Sequence, residues 1–74
     1  MKEAYIIVSR VEEDICFALA NKEEFEKFQD IDDDDEAIEF VDSLEHHYLS
    51  LSVLFRHIKD NNIQIIDVFD YEID

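Results

Sequence analysis

Residues 30–58 join an acidic segment to an apolar helical pattern. Between Asp30 and Glu45 the chain has nine carboxylates and no Lys or Arg. This acidic run consists of Asp30, Asp32, Asp33, Asp34, Asp35, Glu36, Glu39, Asp42 and Glu45. Apolar residues at alternating spacings of three and four overlap its end, at Val41, Leu44, Tyr48, Leu51, Phe55 and Ile58. Because that spacing lines one side of a helix, it predicts a helix with an apolar stripe and carboxylates on its other side.

Length and composition predict one small folded domain over residues 1–74. Seventy-four residues lie near the lower limit for folding on a hydrophobic core alone. The apolar fraction is 47%, with six Phe and three Tyr. A disordered acidic chain would contain few aromatic residues, so a packed core is expected.

The net charge limits the partners that such a domain can bind. Twenty-one Asp and Glu against six Lys and Arg give a formal charge of −15 at pH 7. A protein with this charge repels nucleic acid and anionic membranes, so we expect neither as a direct partner. A basic protein is the expected partner.

Missing residue types exclude several kinds of site and compartment. The chain has no Gly, so it has neither a phosphate-binding loop nor a dinucleotide fingerprint. Its one cysteine, Cys16, cannot form an internal disulfide and fits a reducing compartment. No segment resembles a signal peptide or a membrane span of ~20 apolar residues. We expect a cytoplasmic protein, in the host cytoplasm if a phage encodes it.

The first part of the chain predicts a β-hairpin and a short helix. Residues 4–8 are almost continuously apolar, which is typical of a strand that is central or covered on both sides. Residues 15–20 form the expected second strand. Asn21 and Glu24 have capping-box spacing, and the helix that follows should end after about two turns near Gln29.

The second part predicts a long helix and a last strand. Asp33 is the expected N-cap of a helix from about Asp34 to about Asp60, which would be ~39 Å long. A compact domain of this size has a diameter of only roughly 29 Å. The helix should therefore either break near residues 50–52 or project and be covered by a partner. The last strand is expected over residues 63–71.

This β-β-α-α-β order predicts an α+β fold. We expect a three-stranded, mainly antiparallel sheet with the first strand at its centre. One short helix and one long helix, continuous or broken, should pack on one face of the sheet.

The aspartates do not fit the calcium loop of an EF-hand. Counting from Asp30 puts Asp35 where Gly is needed and Val41 where Glu is needed. Counting from Asp32 puts Ala37 and Ser43 at those positions. A specific calcium site is not expected, whereas weak binding of divalent cations by crowded carboxylates stays open.

No catalytic, metal or cofactor site is expected either. On a helix the adjacent His46 and His47 would point about 100° apart, and His57 would lie about three turns from His46. Such histidines are expected at the surface rather than as metal ligands. The serines and acids show no fixed arrangement of nucleophile and base, so we expect no enzyme.

Helix capping explains only part of the acidic run. Asp33 and Glu36 suit the start of a helix, but like charges three and four residues apart destabilise it by tenths of a kcal/mol per pair. The run is either a functional anionic surface, which we favour, or a solubility device. Duplex DNA carries one charge per roughly 1.7 Å, and spaced carboxylates can imitate part of one phosphate row.

In size, composition and acidic run, the chain resembles small acidic proteins that phages and mobile elements encode against nucleic-acid-binding host proteins. These include DNA mimics, anti-restriction proteins and anti-CRISPR proteins. Their folds differ, so the resemblance implies nothing about topology. It implies a non-enzymatic inhibitor whose acidic run takes the place of phosphates in a basic groove, for example of a host-defence nuclease complex.

Two other interpretations stay open. An antitoxin or immunity protein would use the same charge to cover the active site of one nuclease. A structural module would instead self-associate through an apolar set in the long helix, with charge serving only solubility. This set is Leu49, Leu51, Val53, Leu54 and Phe55. It predicts a homodimer or a patch that a partner covers.

Overall fold

A computed structural model describes residues 2–73 of the protein and the side chains of residues 2–72. The elements are β1 (Lys2–Val11), β2 (Asp14–Ala20), α1 (Lys22–Gln29), α2 (Asp34–Ser43), β3 (His47–Tyr48), α3 (Leu51–Asp60) and β4 (Ile63–Ile73). The α+β class is confirmed. Within residues 2–73, however, there are four strands and three helices, where three strands and two helices were expected.

The sheet is mixed, with strand order β3-β2-β1-β4. β1 is an inner strand, as its apolar run predicted. It pairs with β2 in antiparallel and with β4 in parallel orientation, and the parallel pairing extends along the whole of β1. The prediction of a mainly antiparallel sheet is therefore wrong for the pairing of β1 with β4. A parallel neighbour requires a long crossover, and the chain between β2 and β4 provides it.

The predicted β-hairpin is confirmed and has a two-residue turn. Val11 pairs with Asp14, so Glu12 and Glu13 form the turn between β1 and β2. Glu12 has a φ of 55°, in the left-handed region that glycine usually occupies. The second positive φ among residues 2–73 lies at Asn62, 53°, where α3 turns into β4. Asparagine tolerates this conformation better than most residues.

The predicted starts of the first two helices are confirmed. Asn21 Oδ1 accepts a hydrogen bond from the Glu24 N–H at 2.8 Å, and Glu24 Oε1 accepts one from the Asn21 N–H at 2.9 Å. Asp33 Oδ1 accepts a hydrogen bond from the Asp35 N–H at 2.9 Å. Each side chain satisfies an amide that has no partner within its helix.

The single long helix over 34–60 is wrong. α2 ends at Ser43, and Leu44 has extended backbone angles of φ −71° and ψ 138°. His47 and Tyr48 then pair with β2 as the short strand β3. The break thus begins well before residues 50–52, where α3 starts. The continuous helix does not form because His47 and Tyr48 pair with the edge of β2, and because α2 and α3 bury their apolar sides on opposite faces of the sheet.

The helices cover both faces of the sheet, so the expectation of one covered face is also wrong. On one face α1 and α2 pack on Ile7, with Phe28 and Val41 buried there. On the other face α3 buries Leu54 against Ile6 and Leu19. Because successive residues of β1 point to opposite faces and both sets are apolar, each face needs a cover.

Candidate functional site

The acidic run lies on the outer side of α2 and at both of its ends. Ala37, Val41 and Leu44 point inward and are buried in the core. All nine carboxylate side chains of the run are exposed. Five of them belong to α2 itself, three precede it and Glu45 follows it. The helix is therefore held by its apolar side, and its charged side faces solvent.

A hydrogen bond to β4 fixes the start of α2. The Tyr71 hydroxyl donates to Asp34 Oδ1 at 2.7 Å. This bond raises the pKa of Tyr71 above its ordinary value of 10, with smaller contributions from desolvation and from the charges of Asp34, Asp32 and Asp33. Tyr71 also packs on Phe28, with ring centroids 5.3 Å apart. The first turn of α2 is thus attached to the sheet by a polar and an aromatic contact.

Among residues 2–72, no Lys or Arg forms a salt bridge with the acidic run. Within this part of the chain, Arg10 forms a salt bridge with Asp70 at 2.9 Å, and neither residue belongs to the acidic run. His46 lies 4.0 Å from Glu45 and would form an ion pair only when protonated. The remaining Lys and Arg are Lys2, Lys22, Lys27, Arg56 and Lys59. They lie on β1, α1 and α3. α3 is on the opposite face of the sheet from α2, whereas α1 is on the same face and its Lys27 lies three residues before Asp30.

The line density of charge on α2 is comparable to, but lower than, that of duplex DNA. A helix of ten residues is ~15 Å long, a length over which duplex DNA carries about nine charges. α2 has five carboxylates, and the four beside its ends extend the run beyond that length. The surface can therefore replace part of one phosphate row rather than a whole duplex.

Two histidines that the sequence placed apart lie side by side. The ring centroids of His46 and His57 are 4.0 Å apart, because α2 and α3 are separate helices and the chain reverses between the two residues. The separation by three turns is therefore wrong, and no sequence pattern indicates this pair. Asn61 Nδ2 lies 3.1 Å from His57 Nδ1 and can donate to it. Across the described residues, no group of three or more His, Cys, Asp or Glu could hold a metal ion.

The apolar set of the sequence prediction is divided by the fold. Leu54 is fully buried against the sheet, so its assignment to self-association is wrong. Leu49, Leu51, Val53 and Phe55 are exposed, and Leu49 retains 78% of its accessible surface. Val68 of β4 is exposed as well, at 52%, although the sequence pattern does not indicate it.

Comparison with known proteins gives no relative for this architecture. Neither a protein-family model, nor a curated protein, nor a solved structure matches the chain. In the part that the structure describes, every helix is too short or too polar to cross a lipid bilayer. Function therefore has to be inferred from the surface of the protein itself.

Proposed function

We propose that the protein is a non-enzymatic inhibitor whose acidic run occupies the basic nucleic-acid-binding groove of a partner protein. A host-defence nuclease complex is the kind of partner that the resemblance implies. The observation that carries the proposal is the exposure of all nine carboxylates, none of which forms a salt bridge with Lys or Arg among residues 2–72. Charges that no internal partner neutralises are available to an external one.

Inhibition would follow from occupancy of the groove. Carboxylates of the acidic run take the positions of phosphates and attract the basic groove over long distances, which raises the association rate. The Asp33 cap and the bond from Tyr71 to Asp34 hold the first turn of α2 in place. Less conformational freedom is then lost on binding than with a flexible acidic tail, so affinity is higher.

The test neutralises four charges whose carboxylates make no hydrogen bond among the described residues. Asp32→Asn, Asp35→Asn, Glu36→Gln and Glu39→Gln keep the side-chain shapes and spare Asp33 and Asp34, whose carboxylates cap α2 and accept from Tyr71. The control variant removes four charges elsewhere, by Glu13→Gln, Glu26→Gln, Asp60→Asn and Glu72→Gln, all at exposed positions.

Each variant is used to capture proteins from a nuclease-treated lysate, and duplex DNA is then added as competitor. We expect the wild type and the control variant to retain basic proteins that DNA releases. The variant of the acidic run, with Asp32, Asp35, Glu36 and Glu39 neutralised, should lose these basic proteins. The largest change is expected in the association rate. Full capture by that variant, or capture that DNA does not affect, would contradict the proposal.

The exposed apolar residues favour a second candidate function, a self-associating structural module. Leu49, Leu51, Val53 and Phe55 leave apolar surface around the start of α3. In this case the charge would serve only solubility. Light scattering distinguishes the two: a dimer of the wild type that Phe55→Ser converts to a monomer supports self-association, and a strict monomer at high concentration excludes it.

The antitoxin or immunity interpretation shares the electrostatics of the main proposal. It differs in having one dedicated nuclease whose active site is covered. Capture of one nuclease, whose catalytic activity is then lost, would favour it over a general competitor of nucleic acid.

A further inference from the structure

A cavity of about 420 Å³ opens between α2 and the strands of the sheet. Its floor includes Ser9 and Cys16, which are register partners in β1 and β2. α1 covers the opposite end of this sheet face, where the ring of Phe25 stacks on Tyr5 at 4.7 Å. The hairpin end is therefore left to α2, which does not fill it. The volume lies in the range of small-ligand sites.

The walls of the cavity are apolar, and the charged groups around it are acidic. Val11, Ile38 and Leu49 provide apolar surface. Asp14 and Asp42 also line the cavity, and both are exposed, so their carboxylates lie towards its mouth. No Lys or Arg of residues 2–72 lines it. A ligand with an apolar stem and a cationic end matches this distribution.

The polar groups inside the cavity can accept hydrogen bonds. Ser9 lines the cavity, and its hydroxyl oxygen can accept a hydrogen bond. His47 Nδ1 lies 2.6 Å from the Leu44 carbonyl oxygen, which can only accept. His47 therefore donates from Nδ1, and in the neutral ring Nε2 is an acceptor.

Cys16 does not change this charge pattern. Burial, with a smaller contribution from the negative charge of Asp42, raises the pKa of its thiol above the ordinary value of 9.0. The thiol is therefore neutral at pH 7 and is a poor nucleophile. The floor is uncharged, and the negative charge is confined to the carboxylates.

We propose that this cavity binds the side chain of an arginine residue, an inference that rests on the proposed function because the basic partner supplies that residue. The methylene stem contacts the apolar walls. The guanidinium, which has five N–H donors in a fixed plane, meets the carboxylates and the acceptors of Ser9 and His47. Asp42 belongs both to the cavity and to the acidic run, so one partner can contact the two together.

The experiment uses small probes and needs no partner protein. N-acetyl-arginine amide is titrated into the full chain at pH 7, and backbone amide signals are followed by NMR. N-acetyl-citrulline amide is the neutral control of the same shape, and N-acetyl-lysine amide tests the need for the guanidinium. We expect saturable shifts at Ser9, Cys16 and Val41 with the arginine probe, at least tenfold weaker binding of the citrulline probe and weaker binding of the lysine probe.

Variants separate the cavity from general attraction to an acidic protein. Asp42→Asn should weaken binding of the arginine probe about tenfold. Leu49→Ser, at an exposed wall position, should weaken this binding severalfold. Glu26→Gln removes one exposed charge on α1 and should leave the affinity unchanged. Equal losses in Asp42→Asn and Glu26→Gln, or shifts spread over the whole acidic run, would overturn the proposal. Equal binding of the lysine probe would overturn the assignment to arginine.

Failure of this inference and failure of the proposed function give different results. If the arginine probe binds in the cavity but the variant of the acidic run still captures its partners, the proposed function is wrong and the cavity site stands. If capture depends on the acidic run but the probe does not bind, only the cavity site is wrong.

Discussion

At the scale of single residues, two side chains carry consequences that the sequence pattern does not show. Glu12 occupies the left-handed backbone region because the hairpin turn has only two residues and the chain has no glycine. Tyr71 connects β4 to the first turn of α2 through a hydrogen bond to Asp34. The sequence predicts the caps Asn21 and Asp33, since the capping atoms are close in sequence. The contact between Tyr71 and Asp34 spans 37 residues and depends on the fold.

Glu12→Gly should stabilise the protein. A non-glycine residue in the left-handed region costs roughly 1–2 kcal/mol, and the greater freedom of glycine in the unfolded chain offsets part of the gain. We expect the free energy of unfolding to rise by about 0.5–1 kcal/mol in urea titrations. Glu12→Gln removes the same charge without relieving the backbone and should give a smaller increase. Equal effects of both variants would assign the gain to charge alone.

Because of the Tyr71 hydroxyl, the free energy of unfolding should depend on pH in the alkaline range. Its pKa is raised in the folded state, so its contribution is fully present below the unfolded pKa of about 10 and is lost as pH rises through the folded value. We expect Tyr71→Phe to be less stable than the wild type at pH 8, with a difference that shrinks toward pH 11. The check is urea unfolding at pH 8 to 11, with Tyr48→Phe as control. A difference that stays constant with pH would show that Tyr71 acts only through packing.

At the scale of elements, local patterns predicted the parts that depend on neighbouring residues. The hairpin, the capped α1, the start of α2 and the last strand are all confirmed, although β1 and β4 are longer than expected. The break after Ser43 could not be predicted, because β3 has only two residues and forms by pairing with β2. The apolar stripe was real but is shared between two faces: Val41 packs on one and Ile58 on the other.

Leu54 and Leu49 test this division of the apolar set. Leu54 is completely buried in the core under α3, and Leu49 is exposed. Leu54→Ala should lower the free energy of unfolding by roughly 2–5 kcal/mol, because a cavity is left behind. Leu49→Ala should change it by less than about 0.5 kcal/mol. Urea unfolding of both variants measures the contrast. Similar small effects would mean that α3 does not pack on the sheet through Leu54.

At the scale of the whole molecule, the sequence predicts how much charge the protein has but not how it is distributed. The exposure of the acidic run follows from its composition. The position of α3, with Arg56 and Lys59, on the opposite face could not be predicted while α2 and α3 were expected to form one helix. The cavity beside α2 was missed for the same reason, since its lining comes from β1, β2, α2 and the segment around β3.

The melting temperature should rise with salt, and the acidic run should account for much of the increase. The molecule measures 34 × 25 × 18 Å. At 0.01 M salt the screening length of ~30 Å spans most of it, so the run is repelled by nearly every other carboxylate. At 0.15 M the length falls to ~8 Å, and only neighbouring charges still interact. Salt therefore stabilises the compact state, which self-repulsion opposes.

Thermal unfolding from 0.01 to 0.15 M NaCl measures this effect. The variant with Asp32, Asp35, Glu36 and Glu39 neutralised should melt at a higher temperature than the wild type in low salt and gain less from added salt. The control variant removes four dispersed charges at residues 13, 26, 60 and 72. It should retain more of the salt dependence, because those charges are not crowded on one helix. A wild-type melting temperature that does not respond to salt would contradict this account, since it would mean that bound cations already neutralise the acidic run.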